Sequence, residues 1–163
     1  MNFSKLRHRI IFLQPSDLTT NSMGEIVPRY KPFKPYLKAN LKVKNTDVYL
    51  TYNNDGNAIL VDADGKLYAH KLALQEFSVA GLVVPMSGRE YEESQKIRAE
   101  TTYKISTRYF PGITADMRIL HNGREFEIIS ILDLDGRREE LQIVAIETDK
   151  KTAQNYEGDS DGN

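Results

Sequence analysis

Towards the C-terminal end of the chain, two segments carry apolar residues on both faces of a would-be strand, and this restricts what the chain can fold into. In "REFEIISIL", Phe126, Ile128, Ser130 and Leu132 alternate with Glu125, Glu127, Ile129 and Ile131. In "LQIVAIE", Leu141, Ile143 and Ala145 alternate with Val144 and Ile146. Side chains of a strand point to opposite faces in turn, so a strand apolar on both sides has to be covered on both sides. A small single sheet cannot do this alone. It must close on itself, pack against other elements, or bury one face on another subunit. The expected fold is therefore mainly β: a small antiparallel β-barrel with one short α-helix and an inserted β-hairpin region.

The rest of the sequence agrees with a strand-rich chain. Residues 9–14, "RIIFLQ", read as a first strand, and residues 15–35 carry Pro15, Pro28, Pro32 and Pro35, which suits loop or edge structure. In "YLKANLKVK", Leu37, Ala39, Leu41 and Val43 fall on one face and Lys38, Asn40, Lys42 and Lys44 on the other. "DVYLTY" and "AILV" flank "NNDGN", a hairpin signal, and "DADGK" makes a further turn before "LYAHKLAL". "FSVAGLVV" is a strand expected to stop at Pro85, and "TTYKISTRY" is the longest clean strand. Asn122-Gly123 predicts a type I′ turn between two strands, and "DLDGRRE" turns the chain into the last one. One domain is expected over residues 1–150, with an insertion at about 31–76. Residues 151–163 form an acidic tail expected to be disordered.

The helix is predicted after Pro85. Ser87 and Glu90 have the S-x-x-E spacing of a capping box, in which each side chain satisfies a free backbone N–H at the helix start. Glu90, Glu92 and Glu93 lie where the helix dipole favours negative charge, and Arg89–Glu93 and Glu92–Lys96 are pairs four residues apart. Tyr91 and Ile97 are almost its only apolar positions, so the helix should lie on a surface.

Catalytic and metal chemistry find little support. The chain has no cysteine, which excludes disulfides, thiol catalysis and cysteine-ligated metals, and suggests synthesis in a cytoplasm. No cofactor is expected. Asp62-Ala63-Asp64-Gly65 and Asp133-Leu134-Asp135-Gly136 resemble calcium loops, but lack the flanking helices and the glutamate at position 12. Asp and Gly suit tight turns for backbone reasons alone. His8, His70 and His121 sit in separate elements without ligand spacing, and no serine lies in a nucleophile motif, so the chain is not expected to be an enzyme. There is no apolar run long enough for a membrane span and no signal-peptide core in residues 1–20.

Charge is uneven. Residues 1–44 hold nine Lys and Arg against Asp17 and Glu25, a balance of +7; since the whole chain carries −1, the remainder carries −8. The stripe Lys38, Lys42 and Lys44 lies near Tyr30, Phe33 and Tyr36, a mixture of cations and aromatics also found in single-strand-binding barrels. These three lysines are the candidate contact to nucleic acid. Against a dedicated nucleic-acid module stand the chain's pI of about 6.3 and the placement of those aromatics among prolines.

Several segments together resemble the tailed-bacteriophage head–tail joining family, also called head-closure or stopper proteins. They are "LRHRIIFLQ" (Leu6 to Gln14), "MGEIVPRY", the strand–helix–strand stretch from Val79 to Tyr109, and the closing strands from Ile113 to Glu147. The middle stretch matches at Pro85, Ser87, Gly88, Arg89, Glu90, Tyr91, Arg108 and Tyr109, and the last at Met117-Arg118 and Gly123-Arg124. Two departures are evident: residues 31–76 replace a short connection, and Ala80 stands where the family often has Trp.

The resemblance implies a β-barrel subunit that assembles into a homo-oligomeric ring, twelvefold in the family, below the portal and its adaptor. That ring would close the DNA exit channel after packaging and present the docking surface for tail terminator or tail tube proteins, in non-specific contact with packaged double-stranded DNA and without any membrane. The insertion would be a channel gate or an outer decoration. Candidate subunit contacts are Arg89, Glu90 and Tyr91 on the helix and the second apolar face formed by Ile129, Ile131, Val144 and Ile146. Two alternatives stay open: a free-standing barrel binding single-stranded nucleic acid, and a tail-completion protein.

Overall fold

In a computed structural model, the structure describes residues 3–20, 23–33, 48–62, 64, 66–67, 77–86, 102–133 and 136–148. The expected helix from Ser87, the lysine-striped strand at 36–44, His70 and the acidic tail lie outside them. Among the described residues the chain forms a short 3-10 turn, Phe3–Lys5, and nine strands: β1 (His8–Thr20), β2 (Ile26–Phe33), β3 (Tyr49–Tyr52), β4 (Ala58–Val61), β5 (Val79–Pro85), β6 (Thr102–Arg108), β7 (Arg118–His121), β8 (Arg124–Asp133) and β9 (Glu140–Thr148). They fall into two compact units, one running to Ile11 and resuming at Val79, the other spanning Phe12–Ser78. The expected insertion lies within the second.

In the first unit the strand order is β1-β5-β6-β9-β8-β7, and β7 pairs again with β1, so the sheet forms a partly closed ring. Register decides its two faces. Across the sheet, Val83 faces Ile105, which faces Ile143, which faces Ile131. Residues directly opposite in antiparallel pairs share a face, so these four line the interior. Ile105, Ile143, Ala145, Ile119 and Phe126 are fully buried there. At about 1.5–3 kcal/mol for each such side chain, this face supplies most of the unit's drive to fold. Gly81, two residues before Val83, lies on the same face, where a side chain would not fit: a Cβ there would stand 2.9 Å from Cδ1 of buried Ile10.

The alternation read from the sequence holds in β8 only as far as Ile128. A register shift between Ile128 and Ser130 inserts one extra residue, Ile129. A β-bulge of this kind reverses the parity of everything after it. Ile131 therefore joins Phe126 and Ile128 inside, opposite Ile143, while Ser130 and Leu132 turn outward. Ile131 and Ile129, expected on one face, are separated by this device. Glu125 also departs from expectation. Expected beside outward Glu127, it is almost wholly buried, with its carboxylate 3.2 Å from the Arg118 guanidinium.

The hairpin at Asn122-Gly123 is as predicted. Both residues have positive φ, 50° and 73°, which is what a type I′ turn demands, and β7 pairs with β8 directly across it.

In the second unit β1 continues to Thr20 rather than ending near Gln14, and returns as β2. The prolines are accommodated as the edge reading requires: Pro28 and Pro32 lie in β2, which has β1 as its sole neighbour in the sheet order, and a register shift follows Pro15 in β1. β3 and β4 form a separate two-stranded sheet, as "NNDGN" predicted. Asn53 shapes that turn, its side-chain oxygen accepting from the backbone N–H of Asp55 and Asn57. Asp62 repeats the arrangement with Asp64 and Lys66. Its carboxylate is thus occupied with its own backbone, and no group of three His, Cys, Asp or Glu able to hold a metal occurs among the described residues.

Candidate assembly surface

The partly closed ring leaves a second, outward face on β5, β6, β9 and β8. Its rows run Leu82, Ser106, Gln142, Leu132 and Val84, Lys104, Val144, Ser130; Ile146 lies opposite Thr102 and Glu127. Leu132 is 55% exposed, Ile129 at the bulge 41% and Val84 36%, while Val144 and Ile146 are half-buried. Of the expected contact residues, Val144 and Ile146 therefore share this face, Ile129 stands exposed at the bulge, and Ile131 points inside. Leu132 and Val84 belong to the face and were missed. Leu132 was hidden because the bulge has no sequence signal. Arg89, Glu90, Tyr91, Lys38, Lys42 and Lys44 lie outside the described residues.

A second exposed apolar surface was also missed. Leu18, Met23 and Ile26, at the end of the β1–β2 hairpin, are 68%, 81% and 74% exposed. Leu18 pairs with Pro28 and Thr20 with Ile26, so Leu18, Ile26 and Pro28 share one face of the hairpin, and Met23 lies in the connection. Below it, the Arg29 guanidinium donates to the Asp17 carboxylate at 2.8 Å and stacks 4.1 Å from the centre of the Tyr49 ring, with Lys31 5.1 Å away. Tyr30, one of the aromatics that suggested base stacking, is buried. A buried ring offers no platform to a nucleobase.

Two polar clusters brace the first unit. Arg124 donates through Nε and Nη2 to both carboxylate oxygens of Glu147 at 2.7 and 2.6 Å, and Nη2 also donates to the Tyr103 hydroxyl oxygen at 2.5 Å. The Tyr103 ring meets Phe126 edge-on at 5.0 Å, so the ion pair is tied to the core. The Arg124 hydrogen bond holds the Glu147 carboxyl below the usual range, and Glu147 with Tyr103 pushes Arg124 up in turn. His8 and His121, distant in sequence, form the other cluster, with ring centres 5.0 Å apart. His8 Nδ1 accepts the Val83 N–H at 2.9 Å. His121 Nδ1 donates to the Arg9 carbonyl at 3.0 Å, and the Asn122 amide donates to its Nε2. Two of these bonds fasten β1 to β5 and to β7, and the third ties the His121 ring to the adjoining turn, which is structural work.

The described residues offer two exposed apolar surfaces and two bracing polar clusters. No curated protein matches the chain. Among solved structures, the solution structure of protein SF1141 from Shigella flexneri 2a is similar over 93% of this chain and 100% of its own, with a TM-score of 0.52 and 22% identity. That likeness concerns the fold. No described helix is long and apolar enough to cross a membrane. The model of the phage head completion proteins, a structural family of the bacteriophage virion whose members work with other head and tail proteins, matches residues 1–148. With all but its last 15 residues inside that match, this chain belongs to the phage head completion protein family.

Proposed function

We propose that this protein forms a homo-oligomeric ring at the head–tail interface, below the portal and its adaptor, which closes the DNA exit channel after packaging and carries the docking surface for the tail. The observation that supports this best is the two-faced sheet of the first unit. Its interior is filled by its own residues, yet its outward face keeps Val84, Val144, Ile146 and Leu132 partly open. A ring subunit has a neighbour on each side to cover such a face. Closing a channel is mechanical and electrostatic, which suits a chain braced by ion pairs. In this reading Lys38, Lys42 and Lys44 face DNA or the neighbouring ring, the helix residues Arg89, Glu90 and Tyr91 contact the adjacent subunit, and the 31–76 segment is a gate or an outer decoration of one domain spanning 1–150.

The test is electron microscopy of particles made when the gene is disrupted. Filled heads that leak DNA, beside separate finished tails, are the expected outcome. Normal joined particles would overturn the proposal. Tails that are themselves incomplete would move the protein to tail completion.

A further inference from the structure

In the first unit, a cavity of about 370 Å³ is lined, among the described residues, by Lys5, Arg7, His8 and Leu82. We propose that it is a phosphate site that takes the phosphodiester backbone of a nucleic acid. The inference rests on the proposed function for its setting and deepens it, because it names where a chain at the DNA exit channel would touch the DNA.

The local chain sets three hydrogen-bond donors around this space. The Arg7 N–H donates to the Lys5 carbonyl at 2.9 Å, so residues 5–7 form a tight turn that brings two cations to the rim. Both side chains are exposed, and among the described residues neither the Lys5 ammonium nor the Arg7 guanidinium has an anionic partner. The third donor is His8. A backbone N–H can only donate, so the bond from the Val83 N–H makes His8 Nδ1 an acceptor and leaves the proton of the neutral ring on Nε2. That Nε2–H has no hydrogen-bond partner among the described residues and keeps its contact with solvent. His121 packs against the ring at 5.0 Å and is itself fastened to the Arg9 carbonyl, so the donor is held in place before any ligand arrives.

The chemistry of the lining selects the ligand. No Asp or Glu lines the cavity among the described residues, and residues 1–16 hold Lys5, Arg7 and Arg9 without one acidic side chain. An ammonium, a guanidinium and an imidazole N–H around one space suit an anion with several oxygens, whereas the fork of a guanidinium satisfies a single carboxylate alone. Leu82 adds an apolar wall. Inorganic phosphate has no use for it, but the sugar carbons that flank a phosphodiester can pack there. Exposed Arg9, opposite Ala80 and two residues on from Arg7, continues the cations along the chain, which favours a polyanion over a single ion.

The full chain titrated with a short DNA duplex at low salt should show NMR shifts at the His8 ring and the Leu82 methyl groups. Lys5→Gln with Arg7→Gln should weaken binding by roughly tenfold and make the slope of log K against log salt shallower by about 2, since each phosphate contact contributes about 0.9. Because both side chains are exposed, the melting temperature of that variant should stay within about 2 °C. Unchanged affinity and salt slope in the double variant, or shifts confined to other residues, would overturn the proposal. So would inorganic phosphate or poly-glutamate that shifts His8 and Leu82 at lower concentration than the duplex, the first marking a free-anion site and the second a contact for an acidic protein. Each of these failures leaves the head–tail role standing, because that role is read from particles. Normal joined particles made without the gene would overturn the role and leave the measured affinity of the cavity as it is.

Discussion

The hairpin of β8 and β9 and the hairpin of β1 and β2 are both rich in isoleucine and leucine, yet they expose these side chains in different places. In the first, Phe126, Ile128, Ile143 and Ala145 are drawn into a shared interior and almost none of their surface reaches solvent. In the second, Ile10, Phe12 and Leu13 are buried at the base, but Leu18, Met23 and Ile26 at the far end are left open. The inward residues of each hairpin hold the fold, whereas Leu18, Met23 and Ile26 at the end of one, like Ile129 and Leu132 beyond the bulge of the other, are left to solvent. The comparison teaches that apolar alternation identifies a strand without saying which of its residues the fold itself uses.

Substitution should separate the two regions sharply. Phe126→Ala or Ile143→Ala removes a fully buried side chain and should destabilise the protein by about 3–5 kcal/mol, read as a lowered denaturant midpoint. Leu18→Ala at the exposed hairpin should change stability by less than about 0.5 kcal/mol. Equal losses at both positions would break the comparison.

The buried carboxylate sharpens it from the polar side. Arg118 is 14% exposed and bridges Glu125, whose side chain is fully buried, and Glu127. Arg118→Met removes a countercharge from a buried anion and should cost about 3 kcal/mol. Pairing it with Glu125→Gln should recover much of the loss in a double-mutant cycle; no recovery would mean that the Arg118–Glu125 pair is not what matters.

A smaller effect is expected where backbone and core meet. Gly81→Ala would press a methyl group against Ile10 and should cost about 1–3 kcal/mol, whereas Gly81→Ala with Ile10→Val should cost less than the sum of the two. Strict additivity in thermal melts would show that the contact is already relaxed.

The smallest effect is the most diagnostic for pH. Glu147 has a lowered folded-state pKa because Arg124 hydrogen bonds to its ionised form. The stability it contributes is fully present above the ordinary glutamate pKa of about 4.3 and is lost as pH falls through the lower folded value. Since Arg124 is 41% and Glu147 30% exposed, solvent screening limits the contribution to about 1 kcal/mol or less. Arg124→Gln should flatten the melting curve's dependence on pH between about 5 and 3; an unchanged dependence would assign it to other carboxylates.

The sequence by itself determined the class of fold and most of its punctuation. Period-2 alternation located the later strands, though not β2 or the second half of β1, and Asn122-Gly123 specified its turn because two successive positive φ values admit few other residues. The doubled apolar faces marked the later strands as belonging to a sheet with an apolar interior and a second apolar side, and the resemblance spread along the chain led to the family. All of these signals are local, or are sums of local ones. What only the tertiary structure decided depends on register. The extra residue at Ile129 exchanged the faces of Ile131 and Leu132, burial of Glu125 reversed what its charge suggested, and His8 met His121 across more than a hundred residues. No local pattern could reveal them, because a one-residue slip costs little in composition yet moves every later side chain of the strand to the opposite face.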